Sequence, residues 1–179
     1  MSTIANSTGS QQKSKSDRYL TFKLGHESYG LPVLHVREII RLCPITPVPR
    51  MPLHIKGVIN LRGTVIAVLD LRAKFQLSIA EYGERACIIV VQITTHDGRK
   101  NLMGAIVDAV EEVVHLSAES IEPAPDFGGA PETQYIDGVT TGQDGVKTLL
   151  NIEKIFTDDF SVTRSLPEGA AKTQPAIGN

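Results

Sequence analysis

The sequence has no tryptophan, few aromatic residues and almost no cysteine, and its charges nearly cancel. Among its 179 residues, 5% are aromatic and two are cysteines, and 18 lysines and arginines stand against 20 acidic residues. Two cysteines outside any CxxC pair exclude a disulfide scaffold and a zinc knuckle. The near balance of charge argues against nucleic acid as the main ligand, because domains that bind nucleic acid are usually strongly basic.

Long apolar runs are also missing. The longest uninterrupted run is Ala86–Val91, whereas a helix that spans a membrane needs about 20 apolar residues. The first residues contain no apolar segment of the kind found in secretory signals. These absences predict a protein that works in the cytoplasm as one globular unit and does not insert into a membrane.

The two ends of the chain have a different composition from the middle. Residues 1–16 are dominated by serine, threonine, glutamine and lysine, and residues 161–179 are similarly poor in large apolar residues. Such segments bury too little surface to offset the entropy lost on ordering. We therefore predict a disordered N-terminal tail, a folded domain over residues 17–160 and a flexible C-terminal tail.

Strands dominate the predicted fold. Apolar and polar residues alternate in Leu20–Leu24, whereas Ala86–Thr95 is an apolar run with little alternation, which is typical of a strand covered on both faces. Turns that contain glycine predict hairpins at Arg62–Thr64, Asp97-Gly98 and Gly142–Gly145. Roughly nine or ten short strands are too many for one small barrel, so we expect two packed barrels. No internal repeat is evident.

Helices are predicted to be few and short. Pro32 is suited to the first position of a helix that carries Val33, Val36 and Ile40 on one face. Asp70 is expected to cap a single helical turn, and Asn151 to cap a helix that runs to Phe160. The adjacent acids Asp158 and Asp159 lie at the end of this last helix, where solvation is the expected state.

Catalytic constellations are not found in the sequence. The histidines lack the spacing of metal ligands, and there is no GxSxG, GxGxxG or P-loop motif. Asp70 follows an apolar strand, as phosphoacceptor aspartates do, but the long alternating helices of such folds are absent. An enzyme that uses Asp70 or Cys43 is the minor alternative. The main expectation is a non-enzymatic protein without cofactor or metal.

Arg62 is the most informative surface residue in the sequence. It lies at a predicted hairpin turn beside Gly63, after a segment that contains Val36 and Glu38. Arginine is common in solvated turns, but its planar head with several donors is also enriched at the energetic centres of protein interfaces. The sequence alone leaves both interpretations open.

Four segments in a fixed order make the sequence similar to the CheW family of chemotaxis adaptors. The most specific of them is Lys56–Arg72, with the pattern KGVINLRG followed by VLDLR; the others are residues 17–40, 121–129 and 149–156. The resemblance covers about residues 17–160. It implies a mainly β fold of two packed SH3-like five-stranded barrels, with short helices and a C-terminal helix.

The resemblance also implies a function and a first set of site residues. CheW-like proteins couple the cytoplasmic tips of chemoreceptors to the histidine kinase CheA, through the regulatory domain of the kinase. Residues that match the receptor-binding surface of the family are Val36, Glu38 and Arg62, with Glu38 orienting the arginine. Ile45 and Cys87 match apolar positions of the kinase-binding surface.

A second contact within receptor arrays is implied at Phe127 and Glu122. Phe127 matches an aromatic residue of this contact, and other copies of the adaptor are possible partners in array rings. Glu122 departs from the basic residue expected nearby, and a reversed charge at an interface rim weakens or redirects pairing. An adaptor of a different chemosensory or twitching-motility system is the alternative function.

Overall fold

The computed structural model describes residues 17–78, 80–126 and 128–163, and the side chains as far as residue 160. The described residues form ten strands and two α-helices. The strands are β1 (Asp17–Leu24), β2 (Glu27–Pro32), β3 (Val36–Arg41), β4 (Ile55–Leu61), β5 (Thr64–Asp70), β6 (Cys87–Thr94), β7 (Lys100–Val107), β8 (Ala109–Leu116), β9 (Ile136–Gly142) and β10 (Gly145–Leu150). The helices are α1 (Leu71–Lys74) and α2 (Ile152–Thr163).

The strands form two five-stranded sheets, which we call barrel 1 and barrel 2. Barrel 1 has the order β3-β6-β7-β5-β4, and barrel 2 has the order β8-β1-β2-β10-β9. Each sheet curls until its edge strands approach one another without completing the ladder. Two hydrogen bonds between Thr46 and Val58 link the edges of barrel 1, and two between Glu122 and Val139 link those of barrel 2. The mainly β, SH3-like architecture with a C-terminal helix is confirmed.

Two apolar clusters hold the fold together. The larger one lies between the sheets and includes Phe22 of β1, Ile89 of β6 and Phe156 of α2. The smaller one lies within barrel 1 and includes Ile88 and Val90. Alternate residues of β6 therefore enter different clusters, because side chains alternate across a strand. The prediction that this strand is covered on both faces is confirmed.

The prediction of a helix that starts at Pro32 is wrong. Val33–His35 form one short 3-10 turn, after which the chain continues as β3. Apolar residues at Val33, Val36 and Ile40 fit a helical spacing, but the segment that contains them is also rich in β-branched residues. Antiparallel pairing of β3 with β6 satisfies its backbone as a strand and prevails over the local pattern.

Both predicted helix caps are present. The Asp70 side chain accepts hydrogen bonds from the backbone N–H groups of Arg72 and Ala73, and α1 is a single turn. The Asn151 side chain accepts from the Lys154 backbone N–H at 2.9 Å at the start of α2. These contacts satisfy N–H groups that the first turn of a helix leaves without partners.

The two barrels are repeats of one unit, which corrects the expectation that the chain has none. Residues 55–75 align without a gap with residues 136–156, and residues 30–43 align with 104–117. Six pairs are identical in the first alignment: Ile55/Ile136, Gly57/Gly138, Val58/Val139, Val65/Val146, Leu69/Leu150 and Phe75/Phe156. The similarity is easily missed, because the first two strands of each repeat complete the other barrel: β1 and β2 lie in barrel 2, and β6 and β7 lie in barrel 1.

Strand register supports the repeat independently of residue identity. Ile59 pairs with Ile66 in barrel 1, and the aligned residues Thr140 and Lys147 pair in barrel 2. Parallel pairs also correspond: Val68 with Gly104, and Leu149 with Gly30. The bulge between Val36 and Glu38, where β3 pairs with β6, recurs at the aligned positions where β8 pairs with β1. Matching register along several strand pairs shows that the two backbones follow the same plan.

The end of α2 is fastened to barrel 1 by a charged cluster. Asp159, expected to be solvated, is instead largely buried, with a side chain 8% exposed. Its Oδ1 atom lies 2.8 Å from Nε2 of His54 and 2.6 Å from Nζ of Lys74. The sequence did not show this, because His54 and Lys74 are far from Asp159 in the chain.

Removing the charge of Asp159 should loosen this junction. We expect Asp159→Asn to lower the free energy of unfolding by about 3 kcal/mol, because Lys74 would remain buried without a carboxylate. Asp144→Asn makes the same chemical change in the exposed β9–β10 turn and should have almost no effect. Chemical denaturation of both variants measures the difference, and equal stabilities would contradict a structural role for Asp159.

Candidate functional site

The β4–β5 hairpin presents Arg62 at its tip. Arg62 and Gly63 form the turn, and both have a positive φ, of 51° and 87°. Two successive residues with positive φ are characteristic of the primed turns that suit the twist of a hairpin. The Asn60 side chain accepts a hydrogen bond from the Gly63 backbone N–H at 2.7 Å. The turn is thus fixed locally, and the guanidinium projects from it with 73% of the side chain exposed.

Glu38 on β3 binds this guanidinium with both carboxylate oxygens. Nη1 of Arg62 lies 2.7 Å from Oε1 of Glu38, and Nη2 lies 2.6 Å from Oε2. Hydrogen bonding by Arg62 lowers the pKa of the Glu38 carboxyl below its ordinary value. The curl of the sheet brings β3 beside the hairpin, so residues that are distant in sequence form one forked pair.

Apolar residues lie in or next to the segments that carry the pair. Val36 is half-buried and packs against the larger cluster. Leu34, Ile39 and Val65 are large apolar residues that remain exposed in the same segments. The sequence does not indicate that these three are exposed, because their exposure depends on the curl of the sheet. Exposed apolar side chains of this kind can contribute to a protein-binding surface.

The two residues that match the kinase-binding surface are both half-buried but do not share a cluster. Ile45 lies after β3 and packs against the cluster inside barrel 1, whereas Cys87 begins β6 and packs against the larger cluster. Cys87 pairs with Arg41 at the end of β3. Burial raises the pKa of the Cys87 thiol, so this side chain acts as a small apolar group.

The predicted second contact lies at the closure of barrel 2. Glu122 is exposed, and its backbone exchanges two hydrogen bonds of 2.8 Å with Val139 of β9. Phe127 lies outside the described residues. Glu122 follows Ile121 as Thr46 follows Ile45. The predicted second contact and the predicted kinase-binding residue Ile45 therefore occupy related positions of the two repeats.

Asp70 and Cys43 have surroundings that fit structural roles. Asp70 is fully buried, and besides capping α1 it accepts a hydrogen bond from the Tyr82 hydroxyl at 2.5 Å. Burial and this contact raise the pKa of Tyr82 to about 12. Cys43, expected near an exposed loop, is half-buried against the smaller cluster. Across the described residues, no group of three or more potential ligands is placed to hold a metal ion.

None of the helices in the described part of the chain is long and apolar enough to cross a bilayer.

Comparisons with known proteins agree on one family. The model of the CheW-like domain matches residues 18–160. The chemotaxis protein CheW of Klebsiella aerogenes is 36% identical over 141 residues, which cover 79% of this chain and 82% of that protein. The protein FrzA of Myxococcus xanthus is 29% identical over 81% of this chain and 88% of its own length.

A solved structure shows the same fold. The scaffolding protein TtCheW of Thermoanaerobacter tengcongensis is 32% identical and has a TM-score of 0.70, covering 82% of this chain and 91% of that one. The family match spans both barrels, and the ordered motifs, the sheet topology and the relatives all agree. The chain belongs to the CheW-like family and is a chemotaxis coupling adaptor.

Proposed function

We propose that the surface around Glu38 and Arg62 binds the helical tip of a chemoreceptor, and that Ile45 and Cys87 contribute to binding the regulatory domain of the kinase CheA. The observation that carries the proposal is the forked Glu38–Arg62 pair, whose arginine is largely exposed. The pair lies within the sequence segments that most resemble the family.

The chemistry of this surface suits an amphipathic helix. Exposed apolar residues accept the apolar face of a docked helix, and the arginine at the rim offers donors to polar or acidic groups beside that face. Glu38 holds the guanidinium in one orientation before binding, which reduces the entropy lost when the partner docks.

In this proposal the protein is a scaffold that works in the cytoplasm at receptor arrays and performs no catalysis itself. Phe127 and Glu122 would make the second array contact, with a further kinase domain or another adaptor copy. Buried Asp70 and the raised pKa of the Cys87 thiol argue against phosphoryl transfer and nucleophilic chemistry at these residues. Several contacts of moderate affinity are enough for stable assembly, because many of them form together within one array.

A second candidate is adaptor function in another chemosensory system. The similarity to FrzA supports it at lower identity than the similarity to CheW of Klebsiella aerogenes. The two candidates predict different kinases as partners.

Calorimetric titration tests the proposal directly. The full chain is titrated into the isolated CheA regulatory domain of the same organism. Saturable 1:1 binding in the micromolar range, about −8 kcal/mol, is the expected result. If two folded proteins do not bind, the kinase assignment is wrong, and the regulatory domain of the kinase from a parallel chemosensory system is then the partner to titrate.

Arg62→Asp should weaken receptor binding without harming the fold. Asp tolerates a positive φ better than most residues, and Arg62 is largely exposed. We expect affinity for a receptor-derived helical hairpin to fall about tenfold or more, with the melting temperature changed by no more than about 2 °C. Titration and thermal unfolding measure the two effects.

Gln143→Asp is the matched control, since Gln143 is exposed at the aligned position of the β9–β10 hairpin. It should leave receptor binding unchanged. A large drop in the melting temperature of Arg62→Asp would mean that Arg62 is structural, and unchanged binding would place the receptor surface elsewhere.

A further inference from the structure

The two barrels share a backbone plan but differ in what fills them. In barrel 1, Ile59, Ile66 and Val90 are buried and belong to the smaller apolar cluster. Water is excluded from this interior, and opening the barrel would expose these three apolar side chains.

The aligned positions of barrel 2 are polar. Strand register places Thr140 at the position of Ile59, Lys147 at that of Ile66 and Thr21 at that of Val90. All three are buried, with Lys147 only 7% exposed. The other aligned members of the cluster remain apolar: Leu149, Tyr19 and Pro32. At half of the six positions that form the apolar cluster of barrel 1, barrel 2 therefore carries a polar residue.

Glu112 contacts two of these polar residues, Lys147 and Thr21. Its Oε1 atom lies 3.2 Å from Nζ of Lys147, and 58% of the Glu112 side chain is exposed. The Thr21 hydroxyl donates to the Glu112 backbone carbonyl at 3.1 Å and accepts from its N–H at 3.3 Å. The lysine stem thus fills the barrel, while its ammonium reaches the rim.

In barrel 1 the acid at the aligned position binds a cation on the outside of the barrel and not one from its interior. Glu38 corresponds to Glu112, but its cationic partner is Arg62 on the outer hairpin. Barrel 1 therefore keeps its cation at the surface and its interior apolar. Barrel 2 has no base at the aligned turn position, Gln143, and takes its cation from the interior.

We propose that barrel 2 opens locally, as a unit formed by β9, β10 and the Glu122–Val139 closure, while barrel 1 stays closed. Both barrels are joined across their edges by one aligned backbone pair. Barrel 1 has in addition the Glu38–Arg62 pair between β3 and the β4–β5 hairpin, so its edge contacts and its apolar interior both favour the closed state.

When water enters barrel 2, Leu149 and Leu150 are exposed, as their aligned partners Val68 and Leu69 are when barrel 1 opens. The ammonium and the two threonine hydroxyls, however, form hydrogen bonds with water and add little apolar surface. The same opening in barrel 1 exposes isoleucine and valine.

The opening unit includes the segment that carries Glu122. If the proposed second array contact is correct, partners at Glu122 bind the half of the adaptor that adjusts its shape. That consequence rests on the proposed function. The opening itself is a property of the free protein, so its test requires no partner and can fail or succeed independently.

Hydrogen exchange measured by mass spectrometry on the full chain compares aligned peptides. After correction for intrinsic rates, amides of residues 136–150 should exchange about tenfold or more faster than those of residues 55–69. Lys147→Met keeps an unbranched stem of similar length without the charge. It should slow exchange in residues 136–150 and leave residues 55–69 unchanged.

Reciprocal variants complete the test. Ile66→Lys places the lysine of barrel 2 in barrel 1 and should speed exchange of residues 55–69. Should that variant fail to fold, Thr140→Val provides the second measurement, with slower exchange in residues 136–150 as the expected result. Equal exchange of the two aligned peptides in the unmodified protein would overturn the proposal, as would unchanged exchange in both Lys147→Met and Thr140→Val.

Discussion

Ile89→Asp is expected to leave no cooperatively folded protein. Ile89 is fully buried in β6, an interior strand of barrel 1, and packs in the cluster between the two barrels. A carboxylate there has no cationic partner, and the cluster loses an isoleucine at its centre. We expect a cost of about 5 kcal/mol or more, comparable with the whole stability of many domains. Circular dichroism and solubility after expression measure the outcome.

Ile39→Asp is the matched control for that substitution. Ile39 lies directly across from Ile89 in the β3–β6 pair, but it is 46% exposed. Its carboxylate remains hydrated, so the variant should fold and melt within a few degrees of the unmodified protein. A soluble, cooperatively melting Ile89→Asp protein would contradict the placement of β6 between two apolar clusters.

The parts of the fold that the sequence predicted are those decided by local chemistry. Asp70 and Asn151 follow apolar strands and precede short helical stretches, so their roles as caps could be recognised from neighbours alone. The apolar run that includes Ile89 predicted a doubly covered strand, because few other structures bury every residue of such a run. Hairpin turns with glycine were equally visible.

Features decided by distant contacts were missed. Val36 and Ile40 fit a helical spacing, and only pairing with β6 made their segment a strand. The sequence predicts a solvated Asp159, because His54 and Lys74 reach it only after the barrels pack. The repeat was hidden for a topological reason: the strands that complete barrel 2 stand at the opposite end of the chain.

Knowledge of the candidate site came from two sources. The individual residues, including Val36, Glu38 and Arg62, were expected because their segments resemble the CheW family. The resemblance did not provide the forked geometry of the Glu38–Arg62 pair, nor the exposure of Ile39 and Val65. The pair geometry and these exposures depend on how far the sheet of barrel 1 curls. The two hydrogen bonds between Thr46 and Val58 stabilise that curvature.

Gly57→Ala should break this closure. Gly57 has a φ of +138°, and a Cβ atom added there would lie 2.0 Å from the carbonyl oxygen of Thr46. The contact is with backbone, so it can be relieved only by moving the segment that pairs with Val58. Loss of two hydrogen bonds and added backbone strain should together cost about 3 kcal/mol, or a fall in melting temperature of about 10 °C.

Two further glycine variants separate the effect of the steric clash with backbone from the effect of the positive φ. Gly25→Ala has a positive φ but no neighbouring atom within 4 Å, so it should cost about 1 kcal/mol. Gly138→Ala, at the aligned position of barrel 2, would place Cβ 2.7 Å from the Glu122 carbonyl oxygen. Gly138 has no positive φ and its contact is longer than that of Gly57, so Gly138→Ala should cost less than Gly57→Ala. Equal losses for Gly57→Ala and Gly25→Ala would show that close approach of the edges does not stabilise barrel 1.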